Sequence, residues 1–372
     1  MFRTLALLAL FAAPVRADDK PKPTALTAKE IADGWVNMYD GETTFGWKTQ
    51  GDVKVEKDVL VINSVGEKRG EILAATTFPW PVEFLVDWSW TGDAEAQFRF
   101  AGLRFGIPKG QRTEMLMTIV PGGVPLGARY SIVTQTRVPG GEWKHDRETS
   151  TPQSIGCDIG FFPPKGAVVQ LHALKMRPIR TQKLFNGKDL TGWKVNAADP
   201  KRMASKWSVT KEGELAVKDG PGDLVCEKEF ANFVLQFECK TNGKALNSGI
   251  FFRCIPGQYQ NGYEAQIQNA YKDDDRTKPA DFGTGAIYRR IAARKVVSND
   301  NEWFTMTVAA NGKRISTWVN GYQTVDWTDD RKDDENPRKG YRAAKGPLSI
   351  QGHDPTTDIL FRNIRAGELP TK

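Results

Sequence analysis

The sequence predicts an all-β protein made of two tandem jelly-roll β-sandwiches, and three observations carry that reading. Short runs alternate apolar and polar side chains with a period of two, and clusters of Gly, Pro, Asn and Asp separate them. EFLVDWSW (83–90), FVLQFECK (233–240), SGIFFR (248–253), WFTMTVAANG (303–312) and RISTWVNG (314–321) are typical. Eleven Trp, nineteen Phe and thirty-five Gly accompany few long runs of helix formers, a composition that suits strands and turns. Finally, VNMYDGETTFGW (36–47) recurs as QKLFNGKDLTGW (182–193). A hydrophobe, an Asp/Asn-Gly turn and a Gly-Trp pair in one register mark an internal repeat. A chain of 372 residues has room for two domains of roughly 150 to 190 residues each.

Residues 1–17 read as an export signal. Arg3 gives the charge, Leu5 to Ala13 the apolar run, and Val15-Arg16-Ala17 the cleavage site. An exported protein, periplasmic or extracellular, is the expectation. The apolar run is too short for a bilayer, and no later stretch approaches the ~20 residues of a span. Residues 18–32 form a leader, with a short helix expected at Thr27 to Asp33. The N-terminal sandwich occupies 33–179 and the C-terminal one 180–370. Further echoes support the repeat: GEILAATTFPWPVEFLVDWSW (70–90) with GDLVCEKEFANFVLQFECK (222–240), FAGLRFGIPKG (100–110) with NSGIFFRCIPG (247–257), and LHALKMRPI (171–179) with LFRNIRAGEL (360–369).

The net charge is +7, yet the basic residues are scattered among 45 acids without a block of five or six. That pattern argues against a nucleic-acid partner. Cys157, Cys226, Cys239 and Cys254 lack the spacing of a zinc site. Buried thiols are expected, with a Cys226–Cys239 disulfide as the alternative.

Chemistry concentrates in NGYEAQIQN (261–269). On a strand, Tyr263, Ala265 and Ile267 face one way and Glu264, Gln266 and Gln268 the other. The first set suits a core, the second a polar row. SGIFFR sends Arg253 away from Ile250 and Phe252, and RISTWVNG presents Trp318 either as a sugar-stacking platform or as a rim residue covering core. These three stretches are read as neighbouring walls of one groove.

LFNGKDLTGW, NSGIFFR, GYEAQIQN, GTGAIYRR, NGKRISTWVNG and LSIQGHDPTTDILFRNIRAGEL together resemble the 3-keto-disaccharide hydrolase domain family over 182–369. The resemblance implies a concanavalin A-like sandwich with a sugar groove on its concave face, acting on glycosides oxidised at C3. It implies Glu264 and His353 as catalytic candidates, with Arg253, Gln266 and Gln351 lining the groove. Gln268, Tyr288 and Trp318 complete the substrate-binding set. Members often carry His before the Trp of the WxNG segment; here Thr317 stands there.

A conventional glycosidase needs two carboxylates about 5 to 9.5 Å apart, but the groove-facing successors of Glu264 are amides. A 3-keto sugar offers another route, because its carbonyl acidifies the C2 hydrogen. One base and a polar clamp then suffice, with a divalent metal ion as an optional Lewis acid. The partner is an oligosaccharide or glycoside, and a non-catalytic lectin using the same groove is the alternative. Asp273-Asp274-Asp275 reads as a solvated turn, Gly283 to Tyr288 as a tight sandwich turn, and 329–345 as a solvated insertion, with a lid flanking the groove as the alternative. In the N-terminal half, TEMLMTIVP (113–121) is read as the counterpart of the Glu-x-Gln strand. Glu114 is followed there by Leu116 and Thr118, so that half reads as a packing partner or binding module.

Overall fold

The computed structural model describes residues 24–76, 81–100, 103–121, 129–152 and 159–368. The stretch read as an export signal, the first part of the expected leader and Cys157 lie outside the described residues. The chain enters through α1 (Ala28–Ala32), where Thr27 and Glu30 form a reciprocal capping box. Each satisfies a backbone N–H that the first turn leaves without a partner.

Thirteen strands follow in the N-terminal half. They begin with β1 (Val36–Asn37), β2 (Trp47–Gln50), β3 (Asp52–Glu56), β4 (Val59–Asn63) and β5 (Glu71–Ala74). Next come β6 (Val82–Gly92), β7 (Gln97–Phe100), β8 (Leu103–Gly106) and β9 (Thr113–Pro121). The half ends with β10 (Arg129–Arg137), β11 (Lys144–Pro152), β12 (Ile159–Phe161) and β13 (Ala167–Pro178).

The C-terminal half starts with β14 (Gln182–Lys183), β15 (Trp193–Val195), β16 (Lys206–Val209), β17 (Leu215–Lys218) and β18 (Gly222–Phe230). Then come β19 (Phe233–Thr241), β20 (Ser248–Phe252), β21 (Tyr263–Ile267), β22 (Tyr271–Lys272) and β23 (Asp275–Pro279). The last are β24 (Phe304–Asn311), β25 (Arg314–Val319), β26 (Tyr322–Thr328), β27 (Gly346–Gly352) and β28 (Asp358–Glu368).

Each half pairs an eight-stranded sheet with a five-stranded one, all antiparallel. The larger sheets run β3-β4-β13-β6-β9-β10-β11 and β16-β17-β28-β19-β24-β25-β26, with β1 added to β13 and β14 to β28. The smaller run β2-β5-β12-β7-β8 and β15-β18-β27-β20-β21. The two orders correspond strand for strand, with the β22–β23 hairpin as an insertion in the second half. On this correspondence β8 stands where β21 stands. TEMLMTIVP is β9, the counterpart of β24, so its reading as the Glu-x-Gln strand is corrected. Its Glu114 pairs with Arg137.

The repeated motif does the same work twice. Trp47 donates its indole N–H to Met38 O at 2.7 Å, and Trp193 donates to Leu184 O at 2.8 Å. Asp40 and Asn186 each accept two backbone N–H bonds from the turn that follows. Gly41 and Gly187 take φ of +79° and +75°, a region that costs other residues energy.

Alternation fills two cores. Phe84, Trp88, Phe105, Met117 and Leu171 belong to the first, and Leu224, Phe233, Phe252, Ile350 and Phe361 to the second. Burying such a side chain contributes roughly 1.5–3 kcal/mol. Cys226, Cys239 and Cys254 are free and buried, so no Cys226–Cys239 disulfide forms. No helix among the described residues is long and apolar enough to cross a membrane.

Candidate functional site

On β21, Tyr263, Ala265 and Ile267 enter the second core. The opposite face carries Glu264, Gln266 and Gln268, and these too are buried, at 7%, 1% and 8% exposure. Gln266 Nε2 donates to Asp281 O and Oδ2, both at 3.1 Å. Gln268 Nε2 donates to Ala245 O, and its Oε1 accepts from Ala270 N. The turn read at Gly283 to Tyr288 runs along the outer side of β21. Thr284 N donates to Gln268 O, Gly285 N to Gln266 O and Tyr288 N to Glu264 O, while Gln266 N donates to Ala286 O.

Glu264 is chemically unlike its neighbours. Its carboxyl accepts no hydrogen bond from a described residue and leans over β20, where a Cβ on Gly249 would come 2.5 Å from its Oε1. Burial and the negative charge of Asp281 push it up to about 8, against the opposing pull of Arg289 and Arg338. Removing solvent disfavours the charged form, so the proton is retained.

The cross-strand register extends the row. Gln266 lies opposite Gly249, Ile250 opposite Ile350, and Gln351 opposite Asp223 on β18. Gln351 Nε2 donates to Gln260 Oε1 at 3.1 Å, and Arg338 donates to Gln260 O at 2.7 Å. Gln260 thus lies against Gln351 on this face. Asp223 is 1% exposed. Its Oδ2 accepts from Ser349 and Asn196, and burial raises its pKa against those bonds. Sequence reasoning missed it, although Leu224 and Cys226 on the core side place Asp223 on the polar side by parity.

Three buried acceptors of this region lack a donor, Asn261 Oδ1, Gln266 Oε1 and Gln351 Oε1, while the Gln260 backbone N–H also bears on the Asp223 carboxylate. Buried polar atoms without partners are costly.

Two expected binding residues are elsewhere. Arg253 is fully buried, and its guanidinium donates to Ala231 O, Gly312 O, Arg342 O and Asn232 Oδ1. It follows the last residue of β20 with φ of +49°, so strand parity no longer sets its direction and it fastens loops together. Trp318 is 1% exposed, packs into the first core, and donates its indole N–H to Asn37 O at 2.9 Å. It rides on β25 in the larger sheet, so RISTWVNG is not a wall of the same groove. Thr317 is buried and bonds Gly285 O and Thr324.

His353 lies one residue beyond β27 and two beyond Gln351. It is partly exposed, and its Nδ1 meets Asp354 Oδ2 at 2.7 Å. Tyr288 is half-buried, between Phe282 at 5.3 Å and the Arg289 guanidinium at 5.3 Å. The 329–345 segment is not simply solvated, because fully buried Asp329 accepts from Tyr263 OH at 2.7 Å. Among the described residues no group of three or more His, Cys, Asp or Glu is placed to hold a metal ion.

A buried acid thus stands among unpartnered amide oxygens on the face of the β-sandwich turned away from its core. The model of the 3-keto-alpha-glucoside-1,2-lyase-like domain family matches residues 180–366, half of the chain. The chain belongs to that family, and its C-terminal half is a carbohydrate-active domain.

Among solved structures, two described as candidate glycosyl hydrolases from Parabacteroides distasonis are similar. One is 24% identical, with a TM-score of 0.42, over 51% of this chain and 94% of that one. The other is 26% identical, with a TM-score of 0.39, over 51% and 100%. The carbohydrate-binding module CBM66 from Bacillus subtilis is 17% identical, with a TM-score of 0.36, over 50% and 99%. No curated protein matches the chain.

Proposed function

We propose that the C-terminal sandwich cleaves the glycosidic bond of 3-keto-glycosides by elimination followed by hydration. Ionised Glu264 takes the proton from C2, and the C–H electron pair forms a C2=C3 bond with negative charge on the C3 oxygen. Arg289 and Arg338, whose charges reach Glu264, hold that oxyanion electrostatically. Collapse of the enediolate re-forms the C3 carbonyl and breaks the bond from C1 to the aglycone oxygen, which leaves with the proton from Glu264. Water then adds across C1=C2, so the sum is hydrolysis. Gln266 and Gln351, whose N–H groups bond Asp281 and Gln260, form the polar floor beneath the sugar. His353 stands at the rim.

The observation that supports this reading is the Glu264 carboxyl: buried, unbonded, and held near 8, in the range suited to a catalytic base. Incubation with an aryl 3-keto-glucoside, with and without chelator, tests it through aglycone release. Glu264→Gln is expected to lower kcat/KM by about 10²–10⁴-fold. Retained glycan binding with no release under any metal condition would sink the proposal in favour of a lectin.

Export through residues 1–17 belongs to the same proposal, and N-terminal sequencing of the protein from culture fluid or periplasm checks it.

A further inference from the structure

The smaller sheet of the N-terminal half presents the same face as the sheet bearing Glu264, but with different chemistry. Phe105 of β8 points into the first core, so its neighbour Arg104 points away from it. Arg99 on β7 is the direct cross-strand partner of Arg104. Like charges placed opposite each other destabilise a sheet, and among the described residues neither guanidinium pairs with a carboxylate. Arg69, by contrast, is paired with Glu71 at 3.1 Å and anchored on Pro163 O.

An aromatic surface adjoins the pair. Half-buried Phe162 lies over Gly160, where a Cβ would come 2.8 Å from its ring, and the Arg99 guanidinium is 5.1 Å from the ring centroid. Arg69, Glu95, Gln97, Arg99, Arg104 and Phe162 line an open cavity of about 260 Å³. The lining thus holds two unneutralised cations, a ring, and two side chains able to bond hydroxyls.

We propose that this cavity binds a sugar unit of an anionic glycan. Its carboxylate or sulfate lies between Arg99 and Arg104, its ring rests near Phe162, and its hydroxyls reach Glu95 and Gln97. Guanidinium groups suit this because they bind planar oxyanions through two parallel bonds and stack on rings. That the ligand is a glycan rests on the proposed sugar-cleaving role of the matching face; the anion preference rests on the arginines alone.

The test is affinity electrophoresis of the full chain in gels containing polygalacturonate, dextran sulfate, neutral dextran or RNA. Retardation by either acidic glycan but not by dextran or RNA is expected, and the comparison of the two tells carboxylate from sulfate. Arg99→Gln/Arg104→Gln is expected to weaken retention about tenfold or more, with a thermal unfolding midpoint no lower than the parent's, since the facing charges are removed. Phe162→Ala is expected to weaken it while leaving the charge intact. No retardation, equal retention by RNA, or full retention by the Phe162→Ala variant would overturn the proposal. Failure of the 3-keto-glucoside reading would show separately, as absent aglycone release whatever the gels show.

Discussion

Glu264 ties pH to stability with a sign opposite to that of a salt-bridged acid. Its folded pKa of about 8 lies above the ordinary 4.5, so between those values the folded chain holds a proton that the unfolded chain releases. Stability is full below about 4.5, falls as pH rises through that window, and levels off above 8. The loss attributable to this residue is about 3 to 5 kcal/mol. Denaturant titrations at pH 5 and pH 9 should therefore show Glu264→Gln losing less stability than the parent. As a base, Glu264 should also give a kcat/KM that falls about tenfold per pH unit below its pKa; a profile flat from pH 5 to 8 would exclude it. The polar row of Glu264, Gln266 and Gln268 was legible because period-two alternation survives inside a strand. Arg253 was not, because its positive φ ends the strand, and Asp223 was overlooked beside the more conspicuous amide row.

At the level of elements, the Gly-Trp repeat is a clasp: an indole closes onto a carbonyl nine residues earlier in both halves. Trp193→Phe keeps the ring but leaves buried Leu184 O without that donor. Its expected cost is about 1–3 kcal/mol, read as a shift in the denaturation midpoint with unchanged slope; Trp47→Phe should cost about the same. The clasp was visible in the sequence because its turn residues and its Trp are local. The echo of NSGIFFR in FAGLRFG misled for the converse reason. Only residues 101–102 separate β7 from β8, whereas 253–262 separate β20 from β21. Similar letters therefore fall on strands one place apart in the sheet.

At the scale of the whole molecule, the two halves are joined by more than their connecting chain. Trp318 enters the N-terminal core, Arg294 pairs with Asp40 at 2.5 Å, Thr76 bonds Ser316 and Asp326, and Gln236 donates to Gly34 O. Trp318→Ala should cost about 3–5 kcal/mol. Calorimetry should then show one transition for the parent and separate transitions for the two halves of the variant. The reading of the N-terminal half as a packing partner anticipated contact, but not which faces meet, because a repeat reveals two similar units and nothing of their docking. The segment running beside β21 has a last consequence. An exposed strand border can recruit a strand from another chain and seed aggregates. Here the border of the Glu264 sheet is occupied by the protein's own 284–288 backbone. At the matching border β8 has no outer partner among the described residues, and it carries Arg104, a charge that discourages stacking by a second copy. The two halves thus guard the same vulnerable margin by different means, one with backbone and the other with repulsion.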